Sequence, residues 1–186
     1  MTGGPRFHGE CDVAAMVYAP GDAPDPLLQA FVRGLLGLGY DAVGVVQQRA
    51  PARSGFDGSV DLRLIPDDDR RPDREPAAAC GTALQGIGVR LIEALKRQPD
   101  LVALNRWGSQ EAAGAGLTDV LAEAIERDIP VVIAVPEALF PDWLATTQGL
   151  AVRLQPRRES LERWWRSLGR PPSGAGAAPT FCERFK

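Results

Sequence analysis

The stretch from Leu101 to Leu117, LVALNRWGSQEAAGAGL, indicates the fold more clearly than any other part of this 186-residue chain. It begins with four apolar residues, a pattern typical of a strand that is buried on both faces. Polar and aromatic residues follow at once, from Asn105 to Glu111, and a turn with Gly114 and Gly116 leads into a helix. In α/β proteins this position is the carboxyl edge of a parallel sheet, where ligands usually bind. The stretch therefore predicts an α/β fold with a site at this edge.

The same alternation of apolar runs and amphipathic segments continues on both sides of this stretch. Buried strands are predicted at five apolar runs, residues 13–18, 42–47, 100–104, 130–135 and 150–154. Helices are predicted between them, and the first is opened by Asp25 as N-cap with Pro26 in the first turn. This order predicts a three-layer domain with a mostly parallel sheet, P-loop-like or Rossmann-like in strand order.

The segment from residue 48 to residue 79 is the least regular part of the chain. Within it, residues 59–65 alternate between apolar and polar, which predicts an edge strand or hairpin arm. The run DDDRRPDRE (residues 67–75) is predicted as a solvated loop because mixed charges do not pack in a core. The whole chain is expected to divide into a flexible N-terminus (1–11), a single α/β domain (12–169), and a Pro/Gly linker with tail (170–186).

Composition and charge argue against several classes of protein. The formal net charge of −3 does not favour nucleic acid as a partner. No signal peptide is visible, and no apolar run approaches the ~18 residues of a membrane span, so a cytoplasmic protein without membrane insertion is expected. The only histidine, His8, lies near the N-terminus, which argues against a Ser-His-Asp triad and against zinc sites of ordinary His/Cys spacing.

Three segments, taken in order, carry a resemblance to a known family: MVYAPGDAPDPLLQAF, DLVALNRWGSQEAAGAGL and IPVVIAV. Over roughly residues 12–165 the chain resembles an uncharacterised bacterial family, a domain of unknown function typically encoded beside molybdate-transport genes. More distantly, it resembles the thermophile nucleoside-triphosphatase family, which has a P-loop fold. The resemblance implies a role in molybdenum metabolism, with molybdate or a nucleotide as ligand. It also implies a protein partner in metal transport or cofactor maturation.

The segment after the first predicted strand departs from a working phosphate loop. Such a loop needs GxxxxGK[ST], in which lysine contacts the phosphates and a hydroxyl binds Mg²⁺. This chain has YAPGDAPDP there (residues 18–26), without lysine, serine or threonine, and each of its three prolines lacks a backbone N–H. Asp22 and Asp25 add negative charge, and Asn105-Arg106 replaces the acidic Walker-B pair. We therefore expect no hydrolysis and assign no catalytic residue.

The candidate ligand-binding residues share the predicted edge of the sheet: Asp22, Asn105, Arg106, Trp107, Gly108, Gln110 and Glu111. In one interpretation they form a recognition loop, where Arg106 contacts an anion and Trp107 stacks on a planar ligand. In the alternative interpretation, Trp107 plugs the sheet edge and Arg106 pairs with a nearby aspartate. Gly114 and Gly116 are expected to serve the turn into the following helix.

Two further groups of residues suggest metal or redox chemistry, each with a structural alternative. Asp22, Asp25 and Glu111 would suit a hard cation such as Mg²⁺ if they converge, although Asp25 has a sufficient role as N-cap and Asp22 as a turn residue. Cys80 precedes Gly81 at a predicted helix start, where the helix dipole favours a thiolate that ligates a soft metal or senses redox state. The family resemblance also places a cysteine at this point. The alternative for Cys80 is a small buried side chain.

Three functions follow from these features. The leading one is a non-hydrolytic accessory protein of molybdenum metabolism that binds a small ligand, either an oxyanion or a nucleotide-like molecule. The first alternative is an atypical nucleoside-triphosphatase. The second is an interaction module that docks a transporter or maturation partner, which a filled pocket at the sheet edge would favour. An exposed apolar patch around Trp143 or Trp164-Trp165 would also favour that alternative.

Overall fold

The computed structural model describes residues 12–49, 60–66, 73–75 and 80–173. Its strands are β1 (Val13–Tyr18), β2 (Ala42–Arg49), β3 (Val60–Ile65), β4 (Asp73–Glu75), β5 (Leu101–Leu104), β6 (Val131–Pro136) and β7 (Val152–Leu154). Its helices are α1 (Pro24–Gly37), α2 (Cys80–Leu95), α3 (Ser109–Ala112), α4 (Thr118–Glu126), α5 (Phe140–Thr146) and α6 (Arg158–Ser167). A 3₁₀ turn at Glu137–Leu139 precedes α5.

The strands form one sheet in the order β4-β3-β2-β5-β6-β1-β7. Five strands are parallel, while β3 pairs antiparallel with β2, and β4 antiparallel with β3. Numbered in chain order, the five parallel strands lie in the order 2-3-4-1-5 across the sheet. The predicted three-layer α/β fold is thereby confirmed, with a strand order compatible with a P-loop-like or Rossmann-like arrangement. The antiparallel arm predicted at residues 59–65 is present as β3.

Alternation along the buried strands divides the helices between the two faces of the sheet. Ala14 and Met16 of β1 pack with α1 and α6, whose contacts include Phe31 and Leu161. The intervening side chains, such as Ala15, pack on the opposite face with α2, α4 and α5. Both clusters are apolar and buried, as expected for parallel strands covered by helices on both sides.

The helices that follow the neighbouring strands β1 and β6 pack on opposite faces of the sheet. The loop after β1 leads to α1 on one face, and the loop after β6 leads to α5 on the other. Diverging loops of this kind leave a crevice at the carboxyl ends of the strands, where ligands bind in open α/β sheets. The fold therefore places the β1–β6 switch point beside the loop after β5, in which the sequence predicted a site.

Three local predictions need correction. Helix α1 begins at Pro24, so its N-cap is Ala23 and Asp25 lies inside the first turn. Part of the run predicted as a charged loop forms β4, because backbone pairing at a sheet edge needs no apolar side chains. The one-turn helix α3 lies in the stretch that was interpreted as a recognition loop, since four residues are too few to show a helical period.

Residues that follow α6 contact the amino-terminal edge of the sheet. The guanidinium of Arg170 binds the Asp12 carboxylate and donates to the backbone oxygen of Asp128 at 2.9 Å. The Ser173 hydroxyl donates to the Asp100 carboxylate at 2.7 Å. The first residues of the predicted linker therefore lie along the ends of β1, β6 and β5. Among the described helices, none has the length and apolar character that a membrane crossing requires.

Candidate functional site

The loop after β1 is a short turn that satisfies its own hydrogen bonds. Only Ala19–Ala23 separate β1 from α1. The Asp22 N–H donates to the Ala19 oxygen at 3.1 Å, and the Ala19 N–H donates to the Asp22 carboxylate at 2.8 Å. Gly21 lies between them with φ of +101°, a conformation that glycine adopts readily. Asp22 is exposed at the predicted edge, and its carboxylate closes the turn by accepting a backbone N–H.

An ion pair connects the end of β5 to the start of α1. Arg106 Nη2 lies 2.8 Å from Asp25 Oδ2, and the two side chains are 29% and 15% exposed. The Arg106 guanidinium also lies 5.9 Å from the centre of the Tyr18 ring at the end of β1. Because Asp25 is in the first turn of α1, its negative charge is also favoured by the helix dipole. This arrangement matches the alternative interpretation, in which Arg106 pairs with a nearby aspartate.

Trp107 fills the sheet edge on the other face. Its side chain is fully buried, and its ring meets that of Trp143 edge to face with 5.0 Å between centroids. The backbone N–H of Trp107 donates to the backbone oxygen of Ala134 in β6 at 2.8 Å, and this hydrogen bond holds the loop against the sheet. Neither indole N–H has an acceptor within the described residues. Trp107 thus presents no exposed ring face on which a planar ligand would stack, and the neighbouring Asn105 is also buried.

Glu111 holds the glycine turn from inside. Glu111 is 6% exposed, and its carboxylate accepts the Gly108 N–H at 2.9 Å and the Leu117 N–H at 3.2 Å. Gly116 has φ of +64°, and a Cβ at this position would overlap the Glu111 carboxylate. The carboxylate therefore stabilises the backbone from Gly108 to Leu117 rather than facing solvent. Gln110, on the same short helix, is exposed.

The three carboxylates proposed for a cation do not converge. Asp22 accepts a backbone N–H of its own turn, Asp25 binds Arg106, and Glu111 binds two backbone N–H groups. Within the ranges that the structure describes, no group of three or more His, Cys, Asp or Glu side chains is placed to hold a metal ion. The cation interpretation depended on such convergence, whereas in the structure each carboxylate has a local hydrogen-bonding role, which agrees with the structural alternative.

Helix α2 begins at Cys80, as predicted from the sequence. The Cys80 side chain lies outside the part of the chain whose side chains are described, so its role as a soft ligand or redox group stays a prediction.

A small cavity on the far side of β1 was not predicted from the sequence. It has a volume of about 160 Å³ and lies at the ends of β1, β6 and β7, beside Tyr18, Asp22 and Gln155. Glu137 and Arg153 also line it and form an ion pair at 3.1 Å. The available signal was that polar residues closely follow the strand ends of β6 and β7. Those ends lie far apart in sequence, so only the sheet order brings them together.

These observations define a class of protein: an α/β domain of P-loop-like strand order in which a closed turn follows β1. The chain belongs to the family described as protein of unknown function (DUF2478), whose model matches residues 13–164. The uncharacterised family expected from the sequence is thereby confirmed.

Comparison with curated proteins adds one relative. The chain is similar to the molybdenum import ATP-binding protein ModC 2 of Bradyrhizobium diazoefficiens, with 36% identity over 166 residues. The match covers 83% of this chain and 18% of that protein, so the chain spans less than a fifth of its relative's length. No solved structure matches the chain. The likeness to thermophile nucleoside-triphosphatases stays a prediction.

Proposed function

We propose that this chain is a non-hydrolytic accessory module of molybdenum import, which acts by contact with an ATP-binding protein of the transporter. The observation that supports this most strongly is the closed carboxyl edge of the sheet. The Asp22 carboxylate accepts the Ala19 N–H, and the Arg106–Asp25 ion pair connects the end of β5 to α1. Trp107, next to Arg106, is fully buried. A filled edge of this kind favours an interaction module over a nucleotide enzyme.

The chemistry of the loop after β1 supports the absence of hydrolysis. Phosphoryl transfer depends on cations and backbone N–H groups that stabilise the charged phosphates. Here the loop and the first turn of α1 contribute two aspartates, Asp22 and Asp25, and prolines 20, 24 and 26 have no N–H to donate. One of the remaining N–H groups, that of Ala19, is already bound. A triphosphate at this position would meet negative charge without a lysine to offset it.

The relative supports the choice of partner. The segment that is similar to this chain makes up 18% of a longer protein, which is named for molybdenum import and ATP binding. A segment joined to another domain is held at high effective concentration beside it. We propose that the present chain makes the corresponding contact as a separate molecule.

Two titrations test this proposal. Isothermal calorimetry of the purified chain with ATP–Mg²⁺ is expected to show no saturable heat. Titration with a purified molybdenum import ATP-binding protein that lacks this segment is expected to show saturable binding and an altered ATPase rate of that protein. Saturable ATP binding with Mg²⁺-dependent turnover that Arg106→Ala abolishes would instead establish an atypical nucleoside-triphosphatase.

A second candidate function is the binding of a small oxyanion or nucleotide-like ligand at Arg106. Its support is that the Arg106 guanidinium is partly exposed at the switch point and, among the described residues, contacts an aspartate and a tyrosine ring. An anion that displaces Asp25 would contact Arg106 directly, with the exposed Gln110 nearby on α3. The buried Trp107 and Glu111 would then position the loop rather than contact the ligand.

Molybdate is the test ligand for this second candidate. Binding heat that Arg106→Ala removes and Gln110→Ala reduces would support an oxyanion site at the sheet edge. Loss of the same heat in Cys80→Ser would add a soft ligand to that site. No heat with molybdate, together with binding of the ATP-binding protein, would leave the interaction module as the function.

A further inference from the structure

Strand β7 is an edge of the sheet with one strand neighbour in the described part of the chain. It pairs with β1 through Val152, Arg153 and Leu154, and no described strand lies on its other side. An edge strand directs part of its backbone N–H and C=O groups away from the sheet, where they can pair with another extended segment. The outer side of β7 therefore has hydrogen-bonding capacity for an added strand.

A groove of about 500 Å³ runs between this edge and helix α6. The helix contributes Ser160, Arg163, Trp164 and Ser167, whose spacing of i, i+3, i+4 and i+7 places them on one side of α6. Trp164 is only 4% exposed, so the wall beneath the polar side chains is apolar. The groove thus combines an open strand edge with a helix wall, a combination suited to strand addition.

The charge of the groove is opposite to that of the whole chain. Its lining includes two arginines, Arg153 and Arg163, and no carboxylate, whereas the chain carries a net charge of −3. Arg153 is paired with Glu137 at 3.1 Å. Arg163 is exposed, and among the described residues it forms no ion pair. A segment in this groove would meet a positive charge at Arg163.

We propose that β7 and the facing side of α6 form a strand-addition site for an extended, acidic segment of a partner protein. The backbone of the segment would pair with the outer edge of β7. Its apolar side chains would lie against Leu154 and Trp164, and a carboxylate would bind Arg163. The proposal deepens the proposed function, because it states where and by what chemistry the accessory module would bind its partner.

Charge favours this occupant over a second copy of the chain. If two copies paired through their β7 edges, the exposed Arg163 of one groove would face the same arginine of the other, while Arg153 is already paired with Glu137. Like charges that face each other across an interface oppose association. The structure also shows the chain leaving α6 along the amino-terminal edge of the sheet, with Arg170 beside Asp12 and Ser173 beside Asp100.

Fluorescence anisotropy with two labelled peptides tests the proposal on the full chain. One is a short synthetic peptide in which valine and glutamate alternate, and the other replaces each glutamate by lysine. The acidic peptide is expected to bind saturably, and the lysine-containing peptide is expected not to bind. Equal binding of both peptides, or binding of neither, would overturn the proposal.

Two charge reversals on α6 provide the matched comparison. Arg163→Glu is expected to weaken binding of the acidic peptide about tenfold, because an attractive contact becomes repulsive. Arg166→Glu makes the same change of charge at an exposed arginine on the same helix, which lines the opposite groove against α1, and it is expected to change the affinity less than about twofold. Equal losses in the two variants would show non-specific attraction and overturn the proposal.

Hydrogen exchange separates strand addition from simple charge contact. The acidic peptide is expected to slow amide exchange in the segment that contains β7, since pairing protects backbone N–H groups. Binding without this protection would overturn the proposal. A chain that sediments as a dimer without peptide, with a dimer that the acidic peptide dissociates, would assign the groove to a second copy and overturn the proposal.

The same variants distinguish this site from the broader function. If the molybdenum import ATP-binding protein binds the wild-type chain and Arg163→Glu equally well, the accessory function stands and this docking site does not. If the ATP-binding protein does not bind at all while the acidic peptide binds as described, the groove stands and the proposed partner is wrong.

Discussion

The loops after β1 and after β5 lie at the same edge of the sheet and are held in different ways. The β1 loop is an exposed turn closed by two hydrogen bonds between Ala19 and Asp22. The β5 loop is fixed from within, because Trp107 is fully buried and Glu111 is 6% exposed. The Arg106–Asp25 pair joins the β5 loop to the helix that follows the β1 loop.

This difference shows that polarity at a strand end does not by itself mark a ligand contact. The polar residues after β5 include a buried carboxylate that binds two backbone N–H groups, and the aromatic residue beside them belongs to the core. The polar residue after β1 that most resembles a ligand contact, Asp22, closes its own turn. We therefore expect substitutions in the β5 loop to change the free energy of unfolding more than substitutions in the β1 loop.

The largest effect is expected at Trp107. Trp107→Ala should lower the free energy of unfolding by about 3–5 kcal/mol, because it leaves a cavity against Trp143. Trp107→Phe should cost only about 1–2 kcal/mol, since it keeps an aromatic ring and removes a buried N–H without an acceptor. Urea denaturation followed by circular dichroism measures both. A loss below about 1 kcal/mol for Trp107→Ala would mean that the indole is not packed as described.

The glycine turn after β5 should be the next most sensitive feature. Gly116→Ala should cost about 3 kcal/mol, because it adds a clash with Glu111 to the penalty of a positive φ. Gly114→Ala is the matched control, since its φ of +76° is similar but its Cβ would meet nothing within 4 Å; it should cost about 1 kcal/mol. Thermal unfolding measures both variants.

A third variant isolates the role of the carboxylate. In a Glu111→Ala background, Gly116→Ala should cost no more than Gly114→Ala, because the overlapping group is gone. If the two alanine substitutions already cost the same in the wild-type chain, the close contact between Gly116 and Glu111 is not present in solution.

The Arg106–Asp25 ion pair that connects the two loops should contribute less to the free energy of unfolding than the buried residues do. A double-mutant cycle of Arg106→Ala and Asp25→Ala is expected to give a coupling energy of about 1 kcal/mol or less, because both side chains are partly exposed and solvent screens the pair. The coupling should decrease when the salt concentration is raised. A coupling energy above about 3 kcal/mol would show a pair buried from solvent, with a correspondingly rigid edge.

The smallest effect is expected in the β1 loop. Asp22→Ala should change the free energy of unfolding by no more than about 0.5 kcal/mol, because water can replace the carboxylate at the exposed Ala19 N–H. Urea denaturation at neutral pH measures the change, and Glu111→Ala is the comparison for a buried carboxylate that binds the same kind of group. A larger loss for Asp22→Ala than for Glu111→Ala would reverse the difference between the two loops.

Much of the fold could be predicted from the sequence because its signals are local. The apolar runs placed β1, β5 and β6 within one residue of their observed bounds. The exceptions have physical reasons. β4 is charged because it lies at an edge, and α3 is a single turn without a period. The start of α1 was misplaced because Asp25 resembles an N-cap but lies inside the helix.

Less of the candidate site could be predicted, because its contacts join distant parts of the chain. Arg106 and Asp25 are 81 residues apart, and nothing in their local sequence identifies them as partners. The cavity beside Asp22 combines the ends of three strands, and the groove beside Arg163 combines an edge strand with a helix. Each of these features depends on the order of strands in the sheet, which local patterns do not encode.

The sequence by itself determined which side chains the segment after β1 contains. Residues 18–26 include no lysine, serine or threonine, so this segment itself does not carry the side chains with which a P-loop contacts phosphate and Mg²⁺, because side-chain identity sets charge and hydrogen-bonding capacity. Only the tertiary structure decided how the remaining polar groups are used. Parallel strands bring distant loops to one edge, and burial then selects which groups pair with each other: Arg106 with Asp25, Asp22 with its own turn, and Glu111 with the backbone.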